Sequence, residues 1–102
     1  MEFLNDTTFG EVCGPGVTIV IQANSDTVDI ITADVFLKDG RLFIDCVPVL
    51  CRKHIVAVPE DAIISRAAKP GTRWKLGIFI HPESEAGIFI KTLIDENLIS
   101  RN

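Results

Sequence analysis

The chain has 102 residues, a net charge of −4, 24% charged and 47% hydrophobic side chains. That is enough for one domain with one core, burying roughly 60–70% of the surface its unfolded chain exposes. No apolar run approaches the length of a helical membrane span, and three cysteines are too few for a disulfide framework.

The start, Met-Glu-Phe-Leu-Asn-Asp, is acidic where a signal peptide is basic, so a cytoplasmic, reducing setting is expected. Charge is spread unevenly. Residues 1–34 hold six acids and no lysine or arginine, 35–75 hold eight bases against four acids, and 76–102 hold four acids against two bases. Such polarity favours a protein partner over a polyanion.

In chain order, residues 1–11 are polar with scattered Phe3, Leu4 and Phe9, and read as an arm on a single domain spanning 1–102. Gly14-Pro15-Gly16 predicts a turn, because glycine reaches conformations closed to other residues and proline supplies no amide proton. Its spacing matches neither nucleotide-binding loop. Val17 to Ala23 predicts a strand, apolar enough on both sides to be central. Asn24-Ser25-Asp26 then turns the chain back.

Thr32 to Val47 is the strongest local signal. Asp39-Gly40 between two alternating runs predicts a two-residue hairpin turn. Lys38 then lies opposite Arg41, Leu37 opposite Leu42, Phe36 opposite Phe43, Val35 opposite Ile44, and Asp34 opposite Asp45. With a period of two, Ile31, Ala33, Val35, Leu37, Leu42, Ile44 and Cys46 share an apolar face. Asp34, Phe36, Lys38, Arg41, Phe43 and Asp45 share the other. Phe36 and Phe43 form an aromatic pair, read as a contact surface if nothing covers it. Asp34 beside Asp45 is a like-charge pair, expected to be solvated or met by Arg52 or Lys53.

Pro48 interrupts pairing, and His54 to Val58 predicts a further strand; 42–58 as one bent strand is the alternative. Pro59-Glu60-Asp61 predicts a helix running to Lys69, with proline at the first position and acids in the first turn. Thr72 to His81 predicts a strand with Trp74, Leu76, Ile78 and Ile80 on one face and Arg73, Lys75, Gly77, Phe79 and His81 on the other. Gly-Ile-Phe-Ile occurs at 77–80 and again at 87–90, and predicts two arms of a hairpin around a polar loop, Pro82 to Ala86. Ile90, Leu93, Ile94 and Leu98 fit a short C-terminal helix, with continued strand as the alternative and a frayed end beyond.

Candidate chemistry is sparse. Cys13, Cys46, Cys51 and His54 are the one metal-like group, but no tight knuckle organises them, so no metal is assigned. His54 and His81 lack a thiol neighbour presented by an elbow or a helix start. Arg52, Lys53, Arg66, Lys69, Arg73 and Lys75 surround Trp74 and suggest single-stranded nucleic acid, against a negative total charge.

The expectation is a mainly β domain: a small antiparallel barrel or sandwich of five to six strands, one short helix, and a second at the C-terminus. Its expected function is a non-enzymatic protein-binding or assembly module without a cofactor. The contact surface is expected at Phe36, Phe43, Arg41, Arg73, Trp74 and Phe79, and the partner is another protein or a second copy. A single-strand-binding barrel is the alternative, with a small enzyme or zinc domain ranked below it.

Overall fold

The computed structural model describes residues 11–22, 28–46, 54–67 and 75–102, with backbone alone at 11–15, 66–67 and 75–76. The strands are β1 (Glu11–Ile21), β2 (Asp29–Lys38), β3 (Arg41–Asp45), β4 (Ile55–Ala57), β5 (Ile63–Ala67) and β6 (Lys75–Ile80), followed by one helix, α1 (Glu85–Asp95). They form one six-stranded sheet in the order β4-β3-β2-β1-β6-β5. The mainly β architecture with a short helix is therefore as expected.

The hairpin folds as its sequence dictates. Asp39 and Gly40 take φ of 52° and 78°, the pair of positive values a tight hairpin turn needs. The register is the expected one, from Lys38 opposite Arg41 to Asp34 opposite Asp45. β4 adds to β3 with Ile44 opposite Val56, so the strand expected at His54 to Val58 is present. Asn24 to Asp26 lie outside the described residues, but the pairing they imply is there, with Ile21 opposite Asp29.

Several expectations are corrected. First, the sheet is mixed: β1 runs parallel to β6, Val20 beside Phe79. Second, it is not a barrel, because β4 and β5 end the strand order and are not bonded to one another. It is nevertheless curled. Laid flat, six strands would separate those edges by about 24 Å. The chain from Ala57 to Ile63 reaches no more than about 22 Å, and the turn that bonds the Ala62 amide to the Pro59 carbonyl shortens it well below that. The ends of the sheet must bend toward each other, in the manner of a sandwich.

Third, Gly14-Pro15-Gly16 does not reverse the chain. It is an irregular stretch inside β1, with register shifts on both sides of Gly14 and Gly16 at φ 65°. Fourth, the helix expected from Pro59 is strand β5, paired with β6 from Ile63 opposite Phe79 to Ala67 opposite Lys75. A helix of about ten residues is marginal alone, whereas β-branched Ile63 and Ile64 suit a ladder against a ready edge.

The second Gly-Ile-Phe-Ile is also helix, not a hairpin arm. Ser84 caps α1, its Oγ accepting the Gly87 amide at 3.1 Å. Glu85 adds an acid in the first turn. Asn97, at φ 59°, closes the other end, its amide reaching the Ile94 carbonyl while the Leu98 amide reaches Leu93. The expected C-terminal helix is thus real but begins five residues before Ile90.

Ala86, Gly87, Ile90, Leu93 and Ile94 turn inward from α1. The core gathers Val17, Ile19 and Ile21 of β1, Ile31, Ala33 and Val35 of β2, Ile44, Ile78, Ile80 and Val58 with that stripe. Seven of its fully buried side chains are isoleucines, each worth roughly 1.5–3 kcal/mol in apolar burial.

The last residues are tied down where fraying was expected. The Arg101 Nε donates to Asp29 at 2.5 Å, and Lys91 Nζ stands 3.9 Å from the same carboxylate. The Asn102 amide bonds the Ile30 carbonyl at 2.6 Å. Asp29 is 5% exposed, so Arg101→Ala leaves a buried carboxylate with a distant lysine. A loss of about 2 kcal/mol is expected, read as a lower urea midpoint. An unchanged midpoint would show that Lys91 alone satisfies Asp29.

Candidate functional site

The expected surface residues separate into three groups. Arg73 and Trp74 lie outside the described residues. Phe36 and Phe43 face each other as expected, but Phe36 is 4% exposed and Phe43 half-buried; with Ile55 they form a small cluster apart from the main core. The aromatic pair is therefore covered, the condition under which it offers no open contact face. Arg41 is exposed beside the hairpin turn. Among the described residues, Phe79 is the aromatic that remains open, at 41%.

Phe79 belongs to a row that sequence reading did not assemble. Ile78 and Ile80 point to the core, so Phe79 points to the opposite face of the sheet; Ile19 and Ile21 do the same for Val20, and Ile31 for Ile30. Register then aligns them across four strands: Ile63 opposite Phe79, Phe79 beside Val20, and Val20 opposite Ile30. Ile63 is 67% exposed, while Val20 and Ile30 are half-buried.

The next row is small and hydroxylated, with Ser65 opposite Gly77, Gly77 beside Thr18, and Thr18 opposite Thr32. The Phe79 ring reaches toward it: a β-carbon on Gly77 would stand 3.9 Å from its Cε2. None of these eight residues is charged.

The acidic pair on the other half of this face departs from expectation. Asp34 accepts the Gly16 amide at 2.9 Å. Asp45 is fully buried, not solvated; Arg52 and Lys53 lie outside the described residues. Beside it, Cys46 is a buried free thiol whose amide bonds the His54 carbonyl at 3.0 Å. Burial, and then the Asp45 carboxylate, push this thiol up to about 12, the wrong direction for a nucleophile or a ready metal ligand.

His54 Nδ1 is buried with no hydrogen-bond partner among the described residues. His81 is exposed, its Nδ1 accepting the Glu83 amide at 3.1 Å. Among the described residues no three His, Cys, Asp or Glu side chains gather as a metal group. Cys13 is described by its backbone alone, and Cys51 lies outside the described residues. No described helix is long and apolar enough to cross a membrane.

Comparison of the chain with protein-family models, with curated proteins and with solved structures finds no match in any of the three.

Proposed function

We propose that this chain is a non-enzymatic protein-binding or assembly module whose contact surface is the sheet face centred on Phe79. The observation that carries this reading is the row Ile63, Phe79, Val20 and Ile30, four apolar side chains in register on the face turned away from α1. Single exposed apolar residues on a surface are ordinary, but contiguous ones mark contact sites. An aromatic at the centre, with depleted charge around it, is the composition of an interface core.

The uncharged surroundings also weigh against nucleic acid, since affinity for a polyanion rests on cations that release counterions. The Ser65, Thr18 and Thr32 hydroxyls alongside supply a polar rim.

Phe79→Asp tests the reading. The side chain is well exposed, so circular dichroism should be unchanged while a desolvated contact becomes untenable. The expected result is a change in the elution volume of the isolated chain, or loss of a protein captured from its native host. If both stay as in wild type, this face is not the contact surface.

A further inference from the structure

We propose that β5 is a self-association edge: two copies of this chain join antiparallel, β5 against β5, and continue one sheet into the next. This rests on the module reading above and names its partner. β5 ends the strand order, and among the described residues it is bonded to β6 alone. Ile63, Ile64 and Ser65 are all exposed, the two isoleucines at 67% and 42%.

Consecutive strand residues point to opposite faces, and the register agrees, with Ile63 opposite Phe79 on the outer face and Ile64 opposite buried Ile78 on the core side. The edge is therefore apolar on both sides. A helix or a globular surface laid on either face would cover one isoleucine only. A strand added at the edge flanks both, and satisfies the outward amides and carbonyls as well.

The other edge lacks this character. β4 is three residues long, all half-buried, with Pro59 two positions beyond its end; a short edge is how proteins ordinarily prevent strand addition. Ile63 to Ser65 carry none of the usual guards, neither lysine, nor proline, nor a bulge.

Charge then selects the occupant and its direction. Glu60 and Asp61 are exposed just before β5, and the sequence carries a base, Arg66, near the strand's end. Two copies side by side and parallel would set acid against acid and base against base. Antiparallel, the acidic end of each copy meets the basic end of the other, twice over, as a two-fold axis requires. The edge is complementary to itself.

Sedimentation velocity of the full chain should show a monomer–dimer equilibrium at tens to hundreds of micromolar. Ile64→Lys should raise its dissociation constant about tenfold or more with unchanged circular dichroism. Ser65→Cys should form a disulfide-linked dimer under mild oxidation faster than wild type, whose own cysteines set the background. A chain that stays monomeric throughout, or a dimer indifferent to Ile64→Lys with Ser65→Cys cross-linking no faster than wild type, overturns the proposal. A monomer that still captures a host protein, and loses it with Phe79→Asp, overturns the edge while leaving the module reading standing.

Discussion

Gly87→Ala is expected to cost about 3 kcal/mol, with a fall in melting temperature of roughly 12–24 °C for a domain of this size. Gly87 is buried in the first turn of α1, its amide capped by Ser84. A β-carbon there would overlap the His81 carbonyl oxygen and stand 2.8 and 2.9 Å from two backbone atoms of Pro82. All three are main-chain atoms, and the His81 carbonyl is already fixed by the Ser84 amide at 3.1 Å and its hydroxyl at 2.6 Å. None can swing aside as a flexible side chain would.

In an open helix the same substitution stabilises by about 1 kcal/mol, since alanine is the better helix former. The sign of the change therefore tells packing from propensity. A thermal melt at or above that of wild type would show that the turn at 81–84 yields freely. The expected large loss would show that contact at one α-carbon holds α1 against the end of β6, keeping Ile90 and Leu93 on the core and leaving the Phe79 face to its own role.

What the sequence disclosed and what it hid divide by distance along the chain. The hairpin from β2 to β3 was legible because its turn and both alternating arms lie within a few residues of one another. β5 was not. Pro59-Glu60-Asp61 is a sound helix opening, and only the β6 edge, which arrives later in the chain, makes Ile63 and Ile64 a strand.

The repeated Gly-Ile-Phe-Ile makes the same point. At 77–80 it pairs between β1 and β5, and at 87–90 it winds in α1. The signals that separate the two copies lie outside them: Ser84 and Glu85 before the second, and the spacing of Ala86, Ile90, Leu93 and Ile94 through it. Those could have been read.

The candidate site divides in the same way. Alternation alone puts Phe79 on the face opposite Ile78 and Ile80. Its alignment with Val20 depends on a parallel pairing between strands almost sixty residues apart, which no local pattern announces. The turn pairs Phe36 with Phe43, yet their burial depends on what surrounds them.

Above pH 9 the wild-type chain is expected to lose stability along a slope that Cys46→Ala removes. The Cys46 thiol is pushed from its ordinary 9.0 to about 12, first by burial and then by the Asp45 carboxylate. In the unfolded chain it ionises near 9, as a free thiol does. Between those values the unfolded state has released a proton that the folded state still holds, so unfolding becomes easier as pH rises, by up to about 1.4 kcal/mol per unit. Below pH 9 both states hold the proton and the contribution is intact and flat.

A loss of about 2–3 kcal/mol is therefore expected by pH 11. Other groups titrate in that range, so the deciding quantity is the difference between wild type and Cys46→Ala in urea midpoints at pH 7, 9, 10 and 11. The variant should start lower, by about 1 kcal/mol for the cavity, and the two curves should converge as pH rises and cross before pH 11. Parallel curves would mean that the thiol ionises in place without cost, and so that Cys46 is more accessible than its burial at the end of β3 implies. Convergence would mark it as a packing residue held protonated, consistent with a chain whose contacts are made on its outer sheet face and not by this sulfur.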